Sequence, residues 1–162
     1  MKLTDSEKQW LACAVDFEGS VIMYPNSSSN NAIRANTTVL TNTDFKLIQT
    51  ACTLLRKMGV QHRVVPLSNG KRWKKQWKVA WRVEISPIDD NKIFLKEVRS
   101  CLVSKREQAD LLLEFLRDRQ SKKKNPASEY EWGLMRRCQE LNKRGTSESV
   151  TTIRRDAKRR KR

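Results

Sequence analysis

The chain has 162 residues, a length that one domain with a single core accommodates, so several independent domains are not expected within it. Its 34 lysines and arginines exceed its 18 aspartates and glutamates by 16, and self-repulsion on that scale calls for a polyanionic partner, nucleic acid first. No apolar run approaches the about 20 residues that span a bilayer, and the first residues have a polar helix-start pattern. The expectation is a soluble, non-secreted protein, cytoplasmic in a prokaryote or archaeon, or organellar. The basic residues lie on strand-like and tail segments rather than on one helix face, which argues against a membrane surface as partner.

Thr4-Asp5-Ser6-Glu7 has the form of a capping box and predicts a helix from Asp5 to Phe17, stopped by Gly19. Two extended segments follow, Ser20 to Tyr24 and Ala32 to Asn42, joined by the polar cluster from Pro25 to Asn31. Thr43 and Asp44 are cap candidates for a second helix, marked by Phe45, Ile48, Cys52 and Leu55 and ended by Gly59. A second hairpin runs from Val60 to Leu67, turns at Ser68-Asn69-Gly70-Lys71, and returns from Trp73 to Ile85. Beyond Pro87 the pattern is helical: Asp89 to Leu102, Arg106 to Gln120 and Ser128 to Asn142. This order predicts an α+β domain over residues 1–144, a four-stranded antiparallel sheet with helices on one face, followed by a basic tail over 145–162.

Four cysteines, Cys13, Cys52, Cys101 and Cys138, are far apart inside apolar stretches, and His62 is the only histidine. Neither a zinc site nor a disulfide framework follows; buried reduced thiols do.

Period-two alternation sorts the strands into two faces. In the second strand Arg34, Asn36, Thr38 and Leu40 oppose Ile33, Ala35, Thr37 and Val39; in the fourth, Lys74, Gln76, Lys78, Ala80 and Arg82 oppose Trp73, Trp77, Val79, Trp81, Val83 and Ile85. Gln61 and Arg63 join the polar side from the third strand. A face of Arg, Lys, Asn, Gln and Thr carries the donors and acceptors that read base edges in a major groove.

The run Leu11-Ala12-Cys13-Ala14-Val15-Asp16-Phe17-Glu18-Gly19-Ser20 places two carboxylates where a helix ends and its dipole is negative. A divalent cation there would relieve that arrangement. The small residues Ala12, Cys13 and Ala14 would let a second copy of the helix approach closely, bringing two Glu18 carboxylates together, and such oxygen ligands suit Mg²⁺.

This run resembles the motif of the LAGLIDADG homing endonucleases, with Cys13 in place of a glycine and Glu18 at the final acid. Together with Lys105-Arg106-Glu107-Gln108-Ala109-Asp110 and the order of elements, it resembles the single-motif members encoded within introns of ribosomal RNA genes, over residues 5 to about 143. The resemblance implies an αββαββα core whose sheet forms a saddle on duplex DNA. It implies a homodimer paired through Leu11, Ala12, Ala14 and Val15, and Mg²⁺, with Mn²⁺ or Ca²⁺ able to take its place, at Glu18 and Gly19. Catalytic roles fall to Glu18, to Lys105 near the scissile phosphate and to Thr43, which would orient water or serve only as a cap, with Asn42 as its alternative; Asp16 is mainly structural. The base-facing series comprises Ser20, Ile22, Tyr24, Asn26, Arg34, Asn36, Thr38, Leu40 and Asn42 on the first hairpin, and Gln61, Arg63, Lys74, Gln76, Lys78 and Arg82 on the second. No small-molecule cofactor is implied. The implied activity is metal-dependent hydrolysis of one phosphodiester on each strand of a long pseudo-palindromic site, promoting intron homing. The alternative is a nuclease-inactive nucleic-acid binder, an intron-splicing maturase or a repressor.

Overall fold

The computed structural model describes residues 2–26, 31–67, 78–121 and 126–143. Helix α1 spans Asp5–Glu18 and opens on the predicted capping box: Thr4 Oγ1 accepts from the Glu7 backbone N–H (3.3 Å) and Glu7 accepts from that of Thr4 (2.7 Å). Strands β1 (Ser20–Pro25) and β2 (Ile33–Asn42) form the first hairpin. Helix α2 (Phe45–Lys57) follows, capped by Asp44, whose carboxylate accepts from Lys46 N at 2.9 Å; Thr43 is not the cap. The chain leaves α2 through Gly59 at φ 73°, a left-handed conformation that glycine adopts without side-chain strain. Lys57, at the end of α2, donates to both Glu7 oxygens (2.8 and 2.7 Å), and this contact, followed by the Thr4 N–H, holds the Glu7 carboxyl below its ordinary pKa.

Strands β3 (Arg63–Pro66) and β4 (Trp81–Ile85) complete an antiparallel sheet of order β1-β2-β4-β3. Strand β3 begins later than the predicted Val60 because the Val60 N–H turns back to Leu55 O and the Gln61 N–H is taken by the Asp90 carboxylate. The expected turn Ser68–Lys71 and the Trp73–Trp77 part of the return arm lie outside the described residues. The helical half contains α3 (Ile88–Val98), a 3₁₀ turn (Arg99–Cys101) that interrupts the long helix expected to Leu102, α4 (Arg106–Ser121) and α5 (Glu129–Leu141). The expected C-terminal tail lies outside the described residues, apart from its approach up to Lys143.

One apolar cluster unites these layers. Leu11, Ala12 and Val15 of α1, Ile48 and Leu55 of α2, Phe94 and Val98 of α3, Leu112, Phe115 and Leu116 of α4 and Leu134 and Cys138 of α5 meet the sheet face of Val21, Met23, Val39, Leu40, Val83 and Ile85. Helix α1 lies on β2, α2 on β2 and β4, and α4 and α5 on β1. The Asn142 side-chain amide, just after α5, donates to Val21 O at 2.9 Å, satisfying a carbonyl on an edge strand. All four cysteines are free; Cys52 and Cys138 are buried, and burial raises both thiol pKa values. Cys13 is exposed, contrary to expectation, because it lies on the side of α1 turned away from the sheet. Among the described residues, no helix is long and apolar enough to cross a membrane.

Candidate functional site

The two acids at the end of α1 have different surroundings. Asp16 accepts from the Val103 N–H (2.7 Å), the Ser104 hydroxyl (2.9 Å) and the Lys105 N–H (2.9 Å), so its carboxylate closes the entry to α4, where the helix dipole is positive. In return the Lys105 ammonium donates to Asp16 O at 3.4 Å, bringing a cation to the negative end of α1, whose own last turn has no basic residue. Glu18 ends the helix, is exposed, and accepts no hydrogen bond or ion pair among the described residues.

Gly19 is constrained by space and not by its extended backbone (φ −106°). A Cβ at this position would lie 2.3 Å from Thr38 O and 2.8 Å from both Val39 O and Val15 Cα, all backbone atoms. The glycine therefore lets the end of α1 sit directly on β2.

A hard divalent cation fits this end of the helix in kind: Glu18 offers a free carboxylate and Gly19 a neighbouring carbonyl, the oxygen donors Mg²⁺ takes while keeping several waters. Among the described residues no three His, Cys, Asp or Glu side chains cluster as a metal site. Thr43 is exposed on the turn between β2 and α2, and no hydrogen bond joins it to Glu18 or Lys105. The Asn42 side chain accepts from Asp44 N at 2.8 Å and so helps form that turn.

The helix-pairing residues expected from the sequence need correction. Leu11, Ala12 and Val15 are all at 0% exposure within this chain's own core, where no second copy can touch them. On the outer side of α1, Cys13 and Phe17 are exposed, Phe17 at 84%, while Trp10 and Ala14 flank them partly buried against the core; Val103, whose N–H meets Asp16, is as exposed as Phe17. Only Ala14 of the predicted set remains. The spacing i, i+3, i+4, i+7 of this second stripe was readable in the sequence, but the run of small residues obscured it.

The other sheet face is polar, with one register change. Ser20 pairs with Thr38, Ile22 with Asn36 and Tyr24 with Arg34, so these six share the open side. Between Thr38 and Leu40 the β2–β4 register shifts, from Thr38 opposite Glu84 to Leu40 opposite Val83. This bulge at Val39 inverts the alternation beyond it. Leu40, at 3% exposure, faces the core opposite fully buried Val83, and Asn42 pairs with Trp81 on that same side. Both leave the base-facing series, and Thr41, paired with Arg82, takes their place.

Arg34 and Tyr24 are exposed, Ser20, Ile22 and Asn26 are half-buried, and Asn36 and Thr38 form a nearly closed floor, with Asn36 accepting from the Ser86 hydroxyl. Gln61 and Arg63 are exposed and Arg82 is half-buried; Lys78 is exposed just ahead of β4, and Lys74 and Gln76 lie outside the described residues. Glu84, absent from the sequence-based series, sits among the basic residues and bonds Arg63 and Arg82. Its position two residues after Arg82 was the available signal.

A four-stranded antiparallel sheet open on one side, with a motif helix ending in acids over its central strand, defines the architecture of the LAGLIDADG homing endonucleases, and the chain has that fold. Solved structures similar to it include the homing endonuclease I-CvuI in complex with the I-CreI target (TM-score 0.62, 16% identity, 88% of this chain and 85% of that one). The archaeal intron-encoded homing endonuclease I-Vdi141I, complexed with DNA, matches with TM-score 0.62 at 11% identity, over 92% of this chain and 94% of that one. I-SmaMI, bound to cleaved DNA, matches with TM-score 0.59 at 17% identity, over 94% of this chain but 48% of its own length. No family profile matches the sequence, and no curated protein does.

Proposed function

We propose that this chain is a site-specific, divalent-metal-dependent DNA endonuclease that acts as a homodimer on a long, nearly palindromic duplex and serves intron homing. The observation that carries this reading is the division of labour at the end of α1: Asp16 is fully engaged with the entry to α4 and its carbonyl accepts from the Lys105 ammonium, whereas Glu18, two residues on, is exposed and without a partner among the described residues. A fold maintained only for binding has no use for a free carboxylate facing a polyanion.

Glu18 would hold the cation, with the Gly19 carbonyl as a second donor; bound there, the ion supplies Lewis acidity toward a phosphate oxygen and lowers the pKa of water. Lys105 stabilises negative charge developing on the phosphate. The Thr43 hydroxyl orients the attacking water. Arg34, Arg63, Arg82 and Lys78 supply cations to the groove, and Tyr24 and Thr41 supply contacts along it.

Dimerisation is supported by coverage and by surface. The chain matches nearly the full length of I-CvuI and I-Vdi141I, but about half of I-SmaMI and I-GzeII, as though two such units make one complete enzyme. The outer side of α1, with Cys13 and Phe17 exposed, ends at Phe17 next to Glu18 in the chain, so pairing through it would bring two carboxylates toward one axis.

The test is cleavage of a plasmid library of candidate insertion sites with Mg²⁺ and with chelator, comparing the parent with Glu18→Gln. Metal-dependent linearisation by the parent, lost in the variant while DNA binding persists, is expected. Equal cleavage by both proteins, or binding without cleavage by either, would reject the reading.

A further inference from the structure

The open sheet face is proposed to meet a polyanion, yet a carboxylate is built into it. Glu84 lies on β4 opposite Thr38 of β2 on one side and Arg63 of β3 on the other, and its side chain is only 5% exposed. One oxygen receives both Nε (2.7 Å) and Nη2 (2.6 Å) of Arg63, and the other receives Nη1 of Arg82 at 2.9 Å. Two arginines on neighbouring strands are thus bound to a single, nearly inaccessible acid.

The donor count shows what remains. A guanidinium has five N–H groups in a planar fork. Arg63 uses its Nε/Nη2 edge on Glu84, leaving Nη1 and the second Nη2 hydrogen as a two-donor edge pointing away from its stem. Arg82 uses Nη1, leaving its Nε/Nη2 edge. Each residual edge matches the paired O6 and N7 acceptors of guanine. Arg63 is well exposed, with 66% of its side chain open, and Arg82 retains 36%, so both edges can be reached from the groove. Glu84 also repels phosphate, which discourages either arginine from swinging out to the backbone, and it is too deeply set to accept from a base itself.

We infer that Glu84 is a specificity-determining positioning residue: it fixes Arg63 and Arg82 so that each presents a two-donor edge to a guanine, giving the enzyme two preferred guanines per half-site. This inference rests on the proposal that the open face binds duplex DNA.

The test is selection from a randomised duplex library in Ca²⁺ by the parent and by Glu84→Gln, which keeps the shape and one acceptor but removes the charge. The parent is expected to show two strong guanine positions in each half-site. In the variant, preference at those two positions falls by about tenfold, the loss of a bidentate contact on each. Its affinity for random duplex holds or rises, with a steeper salt dependence, because an acid has left the interface. Arg63→Lys, which keeps a cation on Glu84 but lacks the fork, is expected to lose one of the two positions only, and it serves as the test should Glu84→Gln fail to fold.

A Glu84→Gln profile unchanged from the parent, or a uniform loss of binding at every position, would overturn the inference while leaving the endonuclease reading intact, as would retention of both guanines by Arg63→Lys. A parent that binds no duplex would remove both.

Discussion

Replacing Asp16 with alanine tests the clamp between the motif helix and α4. The carboxylate accepts three hydrogen bonds, two from backbone N–H groups that would otherwise be orphaned before α4 begins. Loss of a helix-capping side chain costs about 0.5–2 kcal/mol, and hydrogen bonds to an ionised acceptor lie at or above the upper part of that range. Asp16 is half-buried, so solvent screens part of the effect. A loss of about 2 kcal/mol follows, and for a chain of this size that lowers Tm by roughly 5–8 °C. Asp16→Asn should cost nearly as much, because one face of the amide presents N–H donors to the N–H donors it must satisfy. Thermal unfolding followed by circular dichroism gives the first readout. The second is cleavage at saturating DNA, expected to fall by about tenfold or more as the Lys105 backbone loses its anchor, with binding changed far less. A Tm within about 1 °C of the parent for both variants would refute the reasoning, showing that water replaces the carboxylate without penalty.

Gly19→Ala should destabilise by about 3 kcal/mol, at the upper end of overpacking costs, since every atom its Cβ meets under 3.0 Å is backbone and cannot rotate away; urea unfolding measures it. Phe17→Glu places a charge on the exposed stripe of α1 and should leave a folded chain that sediments as a monomer where the parent sediments as a dimer; an unchanged sedimentation profile would exclude that stripe from the interface. Glu7 has a folded pKa below its ordinary value of about 4.3, so its contribution is present above that value and lost as pH falls through the lowered folded pKa. Glu7→Gln should therefore lower Tm at neutral pH, with the gap from the parent closing as pH falls below the ordinary carboxylate range.

What was legible in the sequence was what local chemistry dictates. The Thr4 capping box, the Asp44 cap and the Gly59 exit each depend on a few neighbouring residues, and each lies where the pattern placed it. The α+β order followed from the two apolar periods. Strand faces were legible only as far as the alternation was unbroken: Arg34, Asn36 and Thr38 share the open side, while Leu40 and Asn42 do not, because a bulge depends on the partner strand and leaves no local signature here. The inner and outer faces of α1 were confused for a related reason. Both are apolar, and only the sheet decides that Leu11, Ala12 and Val15 belong to one of them. Pairings such as Asp16 with residues 103–105 and Glu84 with Arg63 join distant parts of the chain, beyond the reach of periodicity.

The bulge that defeated the sequence reading also links the two halves of the proposed site. The carbonyls of Thr38 and Val39, at the point where β2 changes register, are two of the three backbone atoms that exclude a side chain at Gly19. The end of α1 therefore rests on the bulge itself, and Glu18 is fixed relative to the strand that carries Arg34, Asn36 and Thr38. Beyond the same bulge Leu40 turns inward to fill the core and Thr41 turns outward beside Arg82. Without the extra residue the two faces beyond Thr38 would be exchanged, exposing a leucine and burying a threonine. With it, Glu18 and the polar sheet face share one rigid support, as the proposed cutting at a fixed distance from the bases would require.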